Sequence, residues 1–338
     1  MEKNNYQGAM QQAIGSGFNG KSTTREVIKD IDLSGKTVIV TGGSTGIGLE
    51  TTKVLAVAGA TVIVGARDIE KAKKNLEGIA NVQIEELDLI NPLSIDAFAD
   101  KFLASSRSLH LLINNAGIMW VPLRKDQRGI ESQFAVNFLA QFHLVARLWP
   151  ALVQANGSRV INVSSSGHQF GDIDFEDLNF EKREYKTLLA YGQSKTACNL
   201  FAMELDNRAK NYGVRAYSLH PGSIGGTELA REAPLELFQQ MGFIDENGNM
   251  PPEVVANLKT IPQGAATTVW CATSPLLEDV GGVYCEDCDV AELNFKNTSG
   301  AGVKPYSLDQ SKGMRLWELS ESLISLKFEI PEFEKVSS

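Results

Sequence analysis

Residues 41–48 have the sequence T-G-G-S-T-G-I-G and lie between an apolar run, residues 37–40, and a stretch with helical spacing. Glycines at a strand-to-helix junction let the backbone turn tightly and approach a pyrophosphate, which the N-terminal amides of the helix then bind. A tight connection without a ligand is the alternative, and the position at the junction favours nucleotide binding. The expected contacts from this turn are Gly42, Ser44, Thr45, Gly46, Ile47 and Gly48.

On both sides of this turn, short runs of Val, Ile and Leu alternate with longer amphipathic stretches. Mostly apolar runs are typical of strands buried on both faces, and the intervening stretches are long enough for crossover helices. We therefore predict an α/β fold, a single-domain, Rossmann-like, doubly wound parallel sheet with helices on both faces. The predicted strands are residues 37–40, 61–64, 82–87, 109–113, 159–163, 215–219 and 282–285.

The pattern divides the chain into three parts. Residues 1–35 are polar and predict an N-terminal arm, residues 36–292 are predicted to form the Rossmann-like domain, and residues 293–338 predict a tail that docks on it. Within the domain, residues 223–262 are too long for an ordinary loop and predict a substrate lid. Apolar residues of this lid, Phe238, Met241 and Phe243, are expected either to contact the substrate or to pack the lid itself.

Composition narrows the functional classes. The 338 residues carry 32 basic and 41 acidic side chains, a net charge of −9, so we expect no nucleic-acid partner and no anionic membrane partner. The first twenty residues lack the apolar centre of a signal peptide, and the apolar run at residues 56–66 is too short to span a bilayer. Cys285 and Cys288 are predicted to be buried cysteines with a structural role. No metal site is predicted, and the expected location is cytoplasmic.

A tyrosine and a lysine four residues apart predict the catalytic centre. Tyr191 and Lys195 occur in Y-G-Q-S-K, a spacing that places both on one face of a helix. A nearby ammonium stabilises a phenolate, so the tyrosine can exchange a proton with a carbonyl or alcohol oxygen. The alternative is an ordinary amphipathic helix.

Three features together resemble the short-chain dehydrogenase/reductase family: the glycine spacing T-G-x-x-x-G-x-G, the sequence N-N-A-G at residues 114–117, and Y-x-x-x-K. The resemblance spans residues 36–290 and implies reversible hydride transfer between a nicotinamide cofactor and a carbonyl or alcohol carbon. It implies four catalytic residues, Asn137, Ser165, Tyr191 and Lys195. Tyr191 is the acid/base, Lys195 orients the ribose, Ser165 holds the substrate oxygen and Asn137 supports a proton relay. Ser164 and Ser166 remain alternatives to Ser165.

The end of the second predicted strand bears on cofactor choice. Arg67 is suited to the 2′-phosphate of NADP, whereas Asp68, one residue later, would favour the ribose hydroxyls of NAD. Arg67 matches the family position more closely, so NADP(H) is favoured over NAD(H). The further cofactor contacts implied by the resemblance are Asp88, Leu89, Asn115, Ala116, Gly117, Tyr191, Lys195, Pro221, Gly222, Ile224 and Thr227. Because of Gly225 and Gly226, Thr227 comes one residue later than in the family pattern.

Residues 168–179 and 199–201 are similar to the branch of retinol dehydrogenases and WW-domain oxidoreductases. Neither the membrane anchor nor the WW modules of that branch are recognisable, so the resemblance does not extend to retinoid substrates. A bulky apolar ketone or alcohol is the expected small-molecule partner. The resemblance also implies a homo-oligomer, a dimer or tetramer. A non-catalytic NADP sensor or scaffold is the alternative function, while the glycine spacing disfavours a nucleotide-sugar epimerase.

Overall fold

An eight-stranded sheet organises the protein, in a computed structural model that describes residues 4–296 and 300–330. The strand order is β3-β2-β1-β4-β5-β6-β7-β8; β8 pairs antiparallel with β7, and all other neighbours are parallel. The predicted fold class is therefore confirmed. The strands are β1 (Thr37–Thr41), β2 (Thr61–Ala66), β3 (Val82–Glu86), β4 (Leu111–Asn114), β5 (Ser158–Val163), β6 (Val214–His220), β7 (Tyr284–Glu286) and β8 (Asp289–Val290).

The helices cover both faces of this sheet. They are α1 (Thr24–Val27), α2 (Gly46–Val57), α3 (Ile69–Asn75), α4 (Pro92–Ala104), α5 (Ser132–Phe134), α6 (Ala140–Gln154), α7 (Thr187–Ala209), α8 (Leu235–Gln240), α9 (Pro252–Asn257), α10 (Ile261–Thr273) and α11 (Gln310–Ile324). A π-helical turn, Ala135–Leu139, joins α5 to α6.

Strand β1 shows why short apolar runs form the centre of the sheet. All five of its residues are buried. Successive side chains of a strand point to opposite faces, so Ile39 packs into the core on one side while Val38 and Val40 pack into the core on the other. Each face is closed by helices, as expected for a parallel sheet.

The prediction was wrong at the two edges of the sheet. We expected strands buried on both faces, but β3 is only partly buried because it has a neighbour on one side alone. We placed the last strand at residues 282–285, whereas β7 covers Tyr284–Glu286 and is followed by β8. β8 has two residues, too few for any periodicity to show. The predicted structural cysteines, Cys285 and Cys288, are buried here.

The N-terminal arm packs on this edge. The side-chain amide of Gln11 donates to the carbonyl oxygens of Tyr284 and Ala291, both at 2.6 Å, and accepts from the Tyr284 N–H at 3.0 Å. One buried glutamine thus pairs with three backbone groups at the end of the sheet. Burying these groups without a hydrogen-bond partner would cost free energy.

The C-terminal segment packs through α11 against α7. Trp317 is buried and stacks on Phe328, with ring centroids 4.8 Å apart, and Phe142 of α6 meets Trp317 edge-to-face at 5.1 Å. Aromatic contacts of this kind add to the free energy of burial. Trp317 and Phe328 of this segment are therefore part of the core.

The helical stretch Ser132–Gln154 is long and apolar enough to cross a membrane, a feature that our sequence analysis overlooked. In this structure 67% of its most apolar window is buried inside the protein. The same burial is found in core helices of soluble proteins.

Candidate active site

The glycine turn lies between β1 and β4, where the strand order of the sheet reverses. Gly42 and Gly46 have left-handed backbones, with φ of +64° and +53°. A methyl group added to Gly48 would lie 2.3 Å from the Gly42 carbonyl oxygen, so no side chain fits there. Ligands bind at such switch points, outside the carboxyl ends of the strands.

The N-N-A-G sequence fixes the other wall of this turn. The Thr41 hydroxyl accepts from the backbone N–H groups of Asn115 and Ala116, both at 3.0 Å. The Asn115 side-chain amide donates to the Thr41 carbonyl oxygen at 3.0 Å. These bonds hold the end of β4 against the end of β1, so the site has a rigid floor.

Arg67 and Asp68 behave differently at the end of β2. The Asp68 carboxylate caps α3, accepting from the Lys71 N–H at 3.0 Å. Arg67 is exposed, and within residues 4–296 and 300–330 its guanidinium makes no hydrogen bond or ion pair. Aspartate is a favoured N-cap residue in any helix. The presence of Asp68 beside Arg67 is therefore explained by the cap of α3.

Tyr191 and Lys195 lie together on α7 and are both buried. The Lys195 ammonium is 5.6 Å from the centroid of the Tyr191 ring and donates to the Val163 carbonyl oxygen at 2.8 Å. The neighbouring polar residues Gln193 and Ser194 are also buried. This part of α7 is therefore buried on all sides rather than amphipathic, and the catalytic role of the pair remains a prediction.

The three serines after β5 have three different environments. The Ser164 hydroxyl is buried and donates to the Lys195 carbonyl oxygen at 3.0 Å. The Ser165 hydroxyl accepts from the Gly167 N–H at 3.0 Å, and all three serines line the cavity. Ser164 is thus committed to the helix, while Ser165 faces the same space as Tyr191.

Asn137 lies in the π-helical turn and is buried. Its side-chain oxygen accepts from the Ile118 N–H at 2.8 Å, and its amide donates to the Ile118 carbonyl and to the Ser194 hydroxyl, both at 3.0 Å. A methyl group on Gly117 would touch both the Asn137 oxygen, at 3.1 Å, and the Lys195 nitrogen, at 3.7 Å. Asn137 and Lys195 are therefore neighbours across Gly117. π-Helical turns recur at functional sites.

The glycine turn, α7 and the predicted lid segment enclose a cavity of about 570 Å³. Most of the predicted site residues line it: Gly42, Thr45, Gly46, Ile47, Gly48, Asn115, Ala116, Gly117, Ser165, Tyr191, Lys195, Pro221, Gly222, Ile224 and Thr227.

Five predicted site residues lie outside this lining: Ser44, Arg67, Asp88, Leu89 and Asn137. Asn137 lies across Gly117 from Lys195, as described above. Leu89 is buried, and the Asp88 carboxylate accepts from the Ile90 N–H at 3.3 Å. Ser44 accepts from the Asn75 amide through its carbonyl oxygen. These contacts are local and do not test the predicted cofactor contacts of Ser44, Asp88 and Leu89, which remain predictions.

Two comparisons identify the family. The sequence profile of the short chain dehydrogenase family matches residues 36–236, more than half of the chain. The chain belongs to the short-chain dehydrogenase family. It is 36% identical over 333 residues to the short-chain dehydrogenase/reductase prx1 of Penicillium rubens, with 95% of each chain covered. It is 38% identical over 302 residues to human retinol dehydrogenase 11, with 88% of each covered.

A solved structure of a putative uncharacterized protein from Mycobacterium paratuberculosis is also similar, with a TM-score of 0.68 and 32% identity. The match covers 90% of this chain and 98% of that one. The similarity to retinol dehydrogenases supports the predicted branch within the family.

In this short-chain dehydrogenase, the segment predicted as a lid contains two short helices, α8 and α9, and α10 begins at its end, at Ile261. Thr227 lies beside Gly46: a methyl group added to Gly46 would be 3.8 Å from the Thr227 methyl carbon. Thr227 therefore remains next to the glycine turn despite the extra glycine before it. Phe238 and Phe243 line the cavity, whereas Met241 does not, which leaves lid packing as the expected role of Met241. Glu228 of the lid forms an ion pair of 2.7 Å with Lys71.

Sequence reasoning missed Trp120, which faces the lid. Trp120 is buried, lines the cavity, and meets Phe238 and Phe243 at centroid distances of 5.3 and 6.1 Å. Its backbone is left-handed, with φ of +58°, and the Gln133 side chain accepts from its N–H at 2.9 Å. A strained backbone held by a buried partner is a common feature of ligand sites. Its place three residues after N-N-A-G was the available signal.

Proposed function

We propose that this short-chain dehydrogenase reduces a bulky apolar ketone, or oxidises the corresponding alcohol, with NADP(H) as the hydride carrier. The observation that carries the proposal is the single cavity in which Ser165, Tyr191 and Lys195 meet the glycine turn at one end and apolar lid residues at the other. The family membership supports the class of reaction.

The cradle between β1 and α2 fits a dinucleotide. Its glycines leave no room for side chains at Gly48, and the amides of the α2 N-terminus are directed toward the site, as pyrophosphate binding requires. When bound, NADPH would supply the hydride for the carbonyl carbon. Arg67 supports the choice of NADPH, because its guanidinium is unengaged while Asp68 is used as a helix cap.

Tyr191 is proposed to give its hydroxyl proton to the carbonyl oxygen during reduction and to take it back during oxidation. Lys195 is proposed to bind the ribose and to place its charge beside the tyrosine, since its ammonium is 5.6 Å from the centroid of the Tyr191 ring. Its bond to the Val163 carbonyl fixes the ammonium in place. Lys195 therefore acts by position and charge.

Ser165 is proposed to donate a hydrogen bond to the substrate oxygen. Both Ser164 and Ser165 line the cavity, but the Ser164 hydroxyl proton is engaged with the Lys195 carbonyl of α7, whereas the Ser165 hydroxyl only accepts, from the Gly167 N–H. Asn137 is proposed to hold a proton relay to Lys195, which fits its position across Gly117. Its three hydrogen bonds leave the side chain one orientation.

The far end of the cavity supports an apolar substrate. Trp120, Phe238 and Phe243 form an aromatic wall, and Phe170 lines the cavity as well. Pockets of this size and composition bind ligands mainly through burial of apolar surface. We infer further that the protein works in the cytoplasm, consistent with its net charge and with the burial of Ser132–Gln154.

The test is steady-state turnover of NADPH and NADH with a panel of aromatic, aliphatic and steroidal ketones, for the wild type and for Tyr191→Phe. We expect NADPH-dependent reduction that falls by at least about 10²-fold in Tyr191→Phe, because the variant keeps the ring and loses only the transferable proton. NADPH affinity, measured by fluorescence titration, is the control and should change little. NADPH binding without turnover of any ketone would overturn the proposal.

A further inference from the structure

Two histidines lie on either side of the peptide group that follows Ser165. The His168 ring nitrogen Nδ1 is 2.7 Å from the Ser165 carbonyl oxygen. The His220 Nδ1 accepts from the Ser166 N–H at 3.1 Å. The Ser165 carbonyl and the Ser166 N–H belong to the same peptide bond, so one imidazole is bound at each end of one peptide plane.

The hydrogen bonds require a definite proton arrangement on both rings. At His168, Nδ1 must carry the proton to donate to the Ser165 carbonyl, and Nε2 accepts from the Lys304 N–H at 3.1 Å. At His220, Nδ1 must be unprotonated to accept from Ser166. Both rings are therefore neutral, with opposite tautomers.

The surroundings favour these neutral forms. His168 is fully buried, and burial lowers its pKa to about 4. Burial, followed by the charge of Lys259, also lowers the pKa of His220. His168 is further enclosed by the Tyr284 ring, whose centroid lies 5.1 Å away.

The clamped peptide connects directly to the reacting groups. The Ser165 hydroxyl accepts from the Gly167 N–H, one residue beyond the peptide. Gly167 in turn packs against the Tyr191 ring so closely that an added methyl group would lie 2.5 Å from Cε1. A rotation of the peptide plane would therefore move the Ser165 side chain and the surface on which Tyr191 rests.

We propose that His168 and His220 are positioning residues that orient the Ser165–Ser166 peptide and thereby hold Ser165 and Tyr191 in register for proton transfer. This role rests on the proposed function, because it is defined by the catalytic use of Ser165 and Tyr191. Neither histidine donates a proton to the substrate. The Lys304 N–H links the same clamp to the C-terminal segment.

The kinetic test compares two substitutions of similar size at each histidine. Asparagine can place a polar atom near the former Nδ1, whereas leucine has none. We expect His168→Leu and His220→Leu to lower kcat by about 10- to 100-fold with little change in NADPH affinity, since a misplacement of about 1 Å has effects of this size. His168→Asn and His220→Asn should recover most of the lost turnover.

A general loss of structure would not give this pattern. Thermal unfolding of each variant is measured beside the kinetics, and His168→Gln and His220→Gln replace the leucine variants if those do not fold, because they shift the polar atom by one bond. Leucine or glutamine variants within threefold of the wild type would overturn the clamp. Asparagine variants as impaired as the leucine variants would overturn it as well.

A second measurement does not depend on turnover. The protein has four histidines, so a long-range ¹H–¹⁵N spectrum of the uniformly labelled protein can resolve each ring at neutral pH. We expect the Nδ1–H tautomer for His168 and the Nε2–H tautomer for His220. Any other tautomer, or a charged ring, would refute the clamp. If the tautomers are as expected but no ketone is reduced, the proposed function and the catalytic role fail, and the hydrogen-bond arrangement stands.

Discussion

Replacing Arg67 by serine should change the coenzyme preference of the protein without weakening its fold. Arg67 is exposed, and it has no partner in the described part of the chain. Its proposed contact is the 2′-phosphate of NADPH, which NADH lacks. A hydrogen bond to a charged group contributes about 1.5–3 kcal/mol, and about 1.4 kcal/mol corresponds to a factor of ten. We therefore expect the KM for NADPH to rise about 10- to 100-fold.

The assay measures initial rates with each coenzyme at a fixed ketone concentration, together with the melting temperature. With NADH, Arg67→Ser should leave KM and kcat within a factor of about three, because the contact is absent there. The KM of the wild type for NADPH should rise with salt more steeply than that of the variant, since an exposed ion pair is screened.

Asp68 provides the matched control. Asp68→Asn keeps a side chain that caps α3 well and removes the negative charge, so the KM for NADPH should stay the same or fall. A wild type that prefers NADH, together with an Asp68→Asn variant that loses NADH affinity, would refute the assignment of the phosphate site to Arg67. Equal losses for both coenzymes in Arg67→Ser would refute it too.

Three further predictions follow from single contacts. Gly48→Ala should weaken NADPH binding at least about tenfold in a fluorescence titration, because its methyl group would lie 2.3 Å from the Gly42 oxygen; an unchanged affinity would contradict this. Trp120→Leu should lower kcat/KM for large aromatic ketones about tenfold relative to small aliphatic ones, since an aromatic wall residue is lost; equal effects on both would exclude Trp120 as a substrate contact. His168 has a pKa of about 4, below the ordinary 6.5, so the unfolded chain takes up its proton first as the pH falls. The free energy of unfolding should therefore drop by about 2 kcal/mol more between pH ~7.5 and ~5 in the wild type than in His168→Asn, measured by urea denaturation; parallel curves would contradict this.

The sequence by itself determined the parts of this protein that depend on short spacings. Alternation of Val38, Ile39 and Val40 places side chains on both faces of a strand, and the glycines at residues 41–48 mark the junction with α2. The four-residue spacing of Tyr191 and Lys195 places both on one face of α7. Such patterns are local, so the fold class and the family could be predicted from them.

Only the tertiary structure decided which distant groups meet. The lid residues Phe238 and Phe243 pack on Trp120, and Gln11 completes the edge of β7, because strand order and helix packing bring these segments together. The distinction between Ser164 and Ser165 depends on which hydroxyl α7 already uses. His168 and His220 come from different elements, yet both bind one peptide group. The spacing of residues along the chain does not predict such contacts, because they depend on which apolar surfaces and unpaired hydrogen-bonding groups meet once the sheet and helices have packed.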